Sequence, residues 1–324
     1  MSVLNNVSLP DYAPIPAAAF GPEPNELGYY VAPIGGNLYW VTDQSYQAMF
    51  LSTRTGVVLV DAPPSLGHNL VRAIEEVTRA NGRPSKVTHL VYSHYHADHI
   101  GAAGIFDSSV ERVAHVETDR LLKATGDRNR PRPTTTFGEG YTLSVGGERL
   151  QLDYRGPNHT PDNIFIHVPD YDTLFVVDVM YPGWAPFQGF ALSQEIPNWI
   201  KAHREITDYS WSHFLGGHVG RPGTREDAEL LIEYVDDLLM HVKSAIMNVD
   251  PAPYFTKYGG SGNPWAMMKH YWNEVARQAA EPVVAKYTGK LAAADVTTVD
   301  NAFTLITSLQ HDDGFTSPAF GIRP

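Results

Sequence analysis

The sequence predicts an α/β fold in which two β-sheets pack face to face with helices on the outside. Three observations carry that expectation. Short apolar runs separated by turn-type residues cluster in two stretches, 36–61 and 141–177. Helical spacing of apolar residues appears beside each stretch, and a sheet with an apolar face needs a second sheet or helices to cover it. Between them, an apolar run ends in a cluster of histidines, Thr88-His89-Leu90-Val91-Tyr92-Ser93-His94-Tyr95-His96-Ala97-Asp98-His99.

Taken in order, residues 1–35 are rich in Pro, Ala and Gly and read as an extended arm with little regular structure. Residues 36–41, 47–52 and 56–61 read as a three-stranded meander ending at Asp61. Leu70, Ala73, Ile74 and Val77 fall at helical spacing within 69–80, and Asn81-Gly82 closes that helix. The histidine-bearing strand follows, and Gly101-Ala102-Ala103-Gly104 reads as a tightly packed helix start. Residues 111–115 read as a strand and 117–123 as a short helix, before strands at 141–145, 148–154, 163–168 and 173–177. Helices are predicted at 195–206 and 225–247, the second capped by Thr224 with Glu226 and Asp227 in its first turn. The Pro-, Gly- and Tyr-rich segment 250–262 reads as a boundary, followed by helices at 264–287 and 295–310. The expected organisation is a catalytic domain over 1–250 and a C-terminal helical extension over 251–324 packed on it. Trp265, Met267, Met268, Tyr271 and Trp272 make that extension too apolar for a solvated helix; it is expected to cover the core, to wall one side of the pocket or to form a homodimer interface.

Composition narrows the function. With 43% hydrophobic residues in a chain of 324, a substantial core can be buried. The formal charge of −12 argues against nucleic acid as a partner, since phosphate binding needs clustered Lys and Arg. The one basic run, Arg128 to Arg132, reads as a solvated loop. No apolar run approaches the roughly 18–20 residues that span a bilayer, so no membrane role is expected. The N-terminus lacks a basic start followed by an apolar stretch, and with no cysteine in the chain the expectation is a cytoplasmic protein.

The histidine cluster carries the chemistry. Side chains two apart at a strand end can converge on one point, so His94 and His96 make half of a metal site. Asp98 and His99, where the backbone turns, can address a neighbouring point. Any zinc must be held by nitrogen and oxygen, the donor set of hydrolytic rather than Cys-type structural sites. Three later stretches offer partners: His159 in a turn-rich loop, Asp178 ending an apolar strand where an unpaired carboxylate would be costly, and His218 in Gly216-Gly217-His218-Val219-Gly220. His68, His89, His115, His167, His203, His213, His241, His270 and His311 match no motif and read as structural or surface residues.

In these motifs, and in their order, the chain resembles the metallo-β-lactamase superfamily over roughly residues 36–247. The resemblance implies a four-layer αββα sandwich. It implies one metal held by His94, His96 and His159, a second held by Asp98, His99 and His218, and Asp178 bridging them. Asp61 matches an early aspartate that orients a ligand histidine. The cofactors expected are two Zn2+ ions, with Fe or Mn as alternatives. Asp178 stands where zinc β-lactamases of the best-known kind carry a cysteine, which favours the lactonase and glyoxalase branches.

Two zinc ions about 3.5–4 Å apart would clamp a bridging hydroxide that attacks a lactone, ester, amide or thioester carbonyl. Asp98 would orient that hydroxide and pass its proton to the leaving group. Tyr181, at the head of an aromatic loop (181–190), is similar in placement to a tyrosine that assists carbonyl polarisation in zinc lactonases. The expected substrate is a fairly apolar small molecule. Alternatives are a β-lactamase, a mononuclear iron dioxygenase of the persulfide type using His94, His159 and Asp178, and a metal-bound binding protein without catalysis.

Overall fold

A computed structural model describes residues 9–318 and 320. Residues 1–8 of the expected arm lie outside that range, as do residues 319 and 321–324. Among the described residues, two sheets form. The first has seven strands in chain order: β1 (Tyr30–Gly35), β2 (Leu38–Thr42), β3 (Gln47–Ser52), β4 (Val57–Val60), β5 (Val87–Val91), β6 (Glu111–His115) and β7 (Thr135–Phe137). The second comprises β8 (Gly140–Val145), β9 (Glu148–Asp153), β10 (Phe165–Val168), β11 (Thr173–Phe175) and β12 (His213–Leu215), in the order β12-β11-β10-β9-β8. Meander pairs are antiparallel, whereas β4, β5, β6 and β7 run parallel, as do β11 and β12.

The two-residue period of the strands sorts their side chains into layers. Val58, Val60, Val91 and Val113 meet Leu143, Leu150, Leu152, Ile166 and Phe175 between the sheets. Val57, Leu59, Leu90 and Ala114 face the other way, against Leu70, Ala73 and Ile74 of α1 (Asn69–Asn81) and Leu122 of α3 (Val116–Thr125). Between them in sequence lies the one-turn α2 (Ala97–Ile100). On the outer face of the second sheet, Phe165, Leu174 and Phe214 join a third cluster with α5 (Ile196–Glu205) and α6 (Arg225–Asn248). The result is the four-layer αββα sandwich. The helix α6 starts where its cap predicts: Thr224 accepts from Asp227 N, and the Asp227 side chain reaches back to Thr224 N.

The C-terminal helices α8 (Pro264–Tyr287) and α9 (Ala294–His311) share that third cluster, burying Tyr271, Trp272, Tyr287, Leu305 and Leu309 beside Leu231, Leu238 and Val242 of α6. Trp265 is 82% exposed.

Several local expectations need correction. The arm is not structureless throughout, because 30–35 forms β1, a half-buried edge strand that pairs with β2. The segment 250–262 contains α7 (Ala252–Gly259), started by Pro251 and Asp250, whose carboxylate accepts from Ala252 N. The helix near the histidines ends at Ile100 rather than starting at 101, and the packing there is tight, a Cβ on Gly101 falling 2.2 Å from Ala97 O. Strands β7 and β12 are three residues each, too short to leave a period in the sequence. In the basic loop, Arg130 bonds Asp127 and Tyr95 O, and Arg132 forms a two-pronged pair with Asp119, so neither presents a free phosphate-binding cation. No described helix is long and apolar enough to cross a membrane.

Candidate metal centre

The candidate ligands all emerge just past strand ends on one side of the sandwich. His94 and His96 follow β5, Asp178 follows β11, His218 follows β12, and His159 lies in the loop joining β9 to β10. The folding signals are local. Asn163 Nδ2 donates to Asn158 Oδ1 at 2.9 Å and to Val177 O at 2.8 Å, tying the His159 loop to the strand end that carries Asp178. Trp199 Nε1 donates to Asp178 O at 2.8 Å. Gly217, with φ +80°, lets the His218 loop approach: a Cβ there would meet Val177 at 2.7 Å and His99 at 3.1 Å. Asp61, Asp178 and Val219 also have positive φ, backbone strain gathered at the site.

All seven predicted side chains converge. His94, His96, His159 and Asp178 form one donor group, and Asp98, His99 and His218 a second; within each group the donor atoms lie within 4.8 Å of one another. His96 presents Nδ1, 3.0 Å from His159 Nε2, and His99 and His218 bring their Nε2 atoms to 3.0 Å. Asp178 stands between the groups. Its Oδ2 is 3.2 Å from both His159 Nε2 and His99 Nε2 and 3.5 Å from His94 Nε2, while Oδ1 is 3.0 Å from His218 Nε2. Asp98 Oδ2 is 3.5 Å from His99 and 3.6 Å from His218.

Electrostatics follows from this crowding. Burial, and then the neighbouring imidazoles, push His94 well below its usual pKa; burial lowers His96 and takes His159 to about 4. These rings are therefore neutral, the form that ligates. Burial would raise Asp178, but the surrounding imidazoles hold it well below the usual carboxylate range. His99 is the exception: burial lowers it, Asp178 outweighs burial, and it rises to about 9, so metal entry there displaces a proton. His94 Nε2 is wholly buried with no hydrogen-bond partner in a ring of neutral nitrogens and carboxylate oxygens. A buried lone pair without a partner is costly unless a cation takes it, so the donor set fits a metal.

Beyond the ligands, the two helper residues expected from sequence, Asp61 and Tyr181, are both buried. Asp61 is fully buried, and burial pushes its carboxyl up to about 7. Its Oδ1 accepts from Ser93 N at 2.8 Å and its Oδ2 makes no hydrogen bond; the ring contact to His94 Nδ1 is made instead by Ser93 Oγ at 3.0 Å. Tyr181 is buried, its hydroxyl donating to Asp178 Oδ1 at 3.0 Å. Tyr46, which sequence reasoning missed, sets its ring 4.6 Å from that of His218, tilted by 48°, and its hydroxyl 3.5 Å from Asp98. Its only local signal is the Asp43-Gln44-Ser45-Tyr46 turn, so nothing in sequence marks it. His115, one of the unassigned histidines, caps α3 and stacks on Tyr154, and His203 is buried on Trp199.

The donor groups form the floor of a cavity of about 740 Å³. Its walls are largely apolar, with Tyr46, Tyr181, Trp184 and Phe187 beside Ala191, Leu192 and Val219. The C-terminal region contributes Ala293, Val296 and Thr297, at the start of α9. Within the C-terminal extension it is thus α9 that lines the cavity, while α8 packs on α6 and α9.

Against known proteins, the family model Lactamase_B, described as the metallo-beta-lactamase superfamily, matches residues 41–243. The chain belongs to the metallo-beta-lactamase superfamily. Members of this superfamily bind a metal, typically zinc. The chain is 26% identical over 214 residues to the 2,4-dinitroanisole O-demethylase subunit alpha of Nocardioides sp. (strain JS1661), covering 64% of this chain and 63% of that subunit. It is 25% identical over 189 residues to metallo-beta-lactamase IND-1 of Chryseobacterium indologenes, covering 55% of this chain and 76% of that enzyme. The metallo-beta-lactamase from Pontibacter korlensis superposes with a TM-score of 0.54 at 21% identity, over 63% of this chain and 97% of that one. The structure of IND-7 gives 0.52 at 22% identity, over 63% and 98%. These superpositions establish the fold. As a superfamily member, the chain carries a candidate metal centre.

Proposed function

We propose that this chain hydrolyses a neutral, fairly apolar small molecule at a lactone or ester carbonyl, with two zinc ions as its cofactors. The observation that carries this reading is the cavity itself. The two donor groups lie at its floor, its walls are apolar and aromatic, and among the described residues no Lys or Arg lines it. An apolar wall rewards an apolar substrate at about 25 cal/mol for each Å² removed from water, and away from the donor groups the wall offers a substrate carboxylate no cationic side chain among the described residues. This disfavours β-lactams that carry a carboxylate. His94, His96, His159 and Asp178 would hold one zinc, and Asp98, His99 and His218 the other. A metal pair held there supplies Lewis-acid polarisation of the carbonyl and activation of water near neutral pH.

The protein groups then have separable tasks. Asp178 stands between the two donor groups, its Oδ2 near His94 and His159 of one and His99 of the other, and its Oδ1 near His218. Asp98, partly exposed at the cavity floor, can accept a proton and return it to the leaving group. Burial and then Asp178 raise Tyr181 well above the usual phenol range, so its hydroxyl remains a donor throughout the working pH range. The convergence of Asp98, His99 and His218 speaks against the mononuclear iron reading, which would leave that group unused.

A second reading is hydrolytic cleavage of an aryl ether. It is favoured by four aromatic rings in the cavity wall and by similarity to a relative named for 2,4-dinitroanisole, an uncharged aryl ether. The deciding experiment combines elemental analysis of the purified protein with a product assay in ¹⁸O-water. The substrates would be phenyl esters, γ-lactones of increasing chain length and a nitroanisole. Two equivalents of zinc and turnover of neutral esters or lactones are expected. Turnover of the nitroanisole alone would transfer the assignment to the ether reading, and a preference for anionic β-lactams would defeat both.

A further inference from the structure

Residues 189–192 form a left-handed turn, within the short segment α4 (Gln188–Leu192), at the rim of the cavity. Gly189, Phe190, Ala191 and Leu192 all have φ between +51° and +65°. Only the glycine takes this conformation freely; in the other three the left-handed backbone is strained. Such strain persists only where the surroundings over-determine it. Here the Phe190 ring is fully buried, 4.7 Å from that of Trp199. Phe190 N donates to Asn301 Oδ1 of α9 at 2.9 Å, and Asn301 Nδ2 donates to Pro186 O at 2.9 Å. Thr297 Oγ1 of the same helix donates to that carbonyl as well, at 2.9 Å. The C-terminal helix thus grips both sides of the turn.

The turn delivers Ser193. Its N donates to Gly189 O at 3.2 Å, its Oγ donates to Phe190 O at 2.5 Å, and that same Oγ lies 3.2 Å from His159 Nδ1. A serine hydroxyl has one proton and two lone pairs. With the proton committed to Phe190 O, the atom facing His159 is an acceptor. Nδ1 must then carry the imidazole proton, leaving the Nε2 lone pair aimed at Asp178 and His96. The next two residues hold the same loop, Gln194 N donating to His159 O at 3.0 Å and Glu195 N to Asn158 O at 3.1 Å.

We infer that Ser193 is a positioning residue that fixes the tautomer and ring plane of His159 for metal binding, and that Asn301 on α9 holds it there through the left-handed turn. This rests on the reading of His159 as a metal ligand. It assigns the C-terminal region, beyond the stretch matched by the family model, a part in building the centre.

The test measures zinc affinity and stoichiometry by competition with a chelator of known strength, on the full chain. The proteins compared are the wild type, Ser193→Ala, Ser193→Thr and Asn301→Ala. Outer partners of this kind are worth about 10–100-fold in metal affinity. Ser193→Ala is expected to loosen one zinc by a factor in that range, Ser193→Thr to restore most of it, and Asn301→Ala to weaken the same zinc. Long-range ¹H–¹⁵N spectra of the zinc-loaded wild type should show His159 protonated at Nδ1, a readout that needs no variant to fold. Unchanged zinc affinity in a folded Ser193→Ala, or an unprotonated Nδ1 in the wild type, would overturn the inference and leave the ligand assignment standing. A wild type that binds no zinc would overturn both.

Discussion

Replacing Tyr181 by Phe separates the two tasks its hydroxyl can perform. The hydroxyl is buried, stays protonated, and donates to Asp178 Oδ1 at 3.0 Å, while the ring forms part of the cavity wall. The Phe variant keeps the ring and removes only the donor. A hydrogen bond to a charged acceptor contributes about 1.5–3 kcal/mol net, which in a chain of this size lowers the melting temperature by a few degrees. Asp178 keeps its imidazole neighbours, so zinc stoichiometry should stay at the wild-type value. If the hydroxyl also turns toward the oxygen that gains charge during hydrolysis, a donor used only in the transition state is lost. Such a donor can be worth on the order of 100-fold; with a metal sharing that oxygen, the expected loss is about tenfold, or about 1.4 kcal/mol. It should fall on kcat, with KM little changed. The assay is steady-state kinetics on the best lactone or ester, alongside zinc content and thermal melting. An unchanged kcat with full zinc content would show that Tyr181 only supports Asp178 and packs, and the catalytic role assigned to it would be wrong.

Removing His159 or Asp178 by substitution with Ala should abolish hydrolysis and lower both zinc content and melting temperature; full zinc content with normal turnover in either would remove the dinuclear assignment. Leu192→Asn, in which asparagine tolerates the left-handed backbone, removes an apolar rim contact; KM for long-chain esters should rise about tenfold at unchanged kcat, and an unchanged KM would place the substrate elsewhere. His203 is buried, lies against Trp199, and burial lowers it from 6.5 to about 4. Between those values the unfolded chain binds a proton that the folded chain refuses, so stability is lost as pH falls from about 6.5 toward 4. At about 1.4 kcal/mol per pH unit the loss approaches 3 kcal/mol. Urea unfolding of His203→Phe at pH 7 and pH 4.5 should show that acid-side loss reduced by most of this amount; an undiminished loss would assign it to other groups. A chain ending at Asp250 uncovers Leu231, Leu238 and Val242 of α6 and deletes part of the cavity wall; it should aggregate, and a soluble active product would contradict the shared core.

How much of this was legible in sequence differs by kind of interaction. Short apolar runs bounded by turn-type residues marked β3, β4 and β6, and a longer apolar-rich stretch marked α8, nearly to the residue, because such segments are written along the chain. The convergence of His94, His96, Asp98 and His99 was legible for a related reason: strand-end geometry acts over a few residues, and a carboxylate or imidazole at the end of an apolar strand needs a partner. His159, Asp178 and His218 could be named as candidates by their local settings, and placed in two groups only through resemblance. Tyr46, Ser193 and Asn301 carried no such mark. Tyr46 meets Asp98 across 52 positions and Ser193 meets His159 across 34, while Asn301 reaches Phe190 across 111. Such pairs have no period, and ordinary residue types serve in them. The sequence by itself therefore determined the layered sandwich and the donors offered to a metal, since both follow from short-range pattern and chemistry. Only the tertiary structure decided that α9 rather than α8 walls the cavity and that a strained turn carries Ser193 to His159, because those outcomes depend on which distant surfaces pack together.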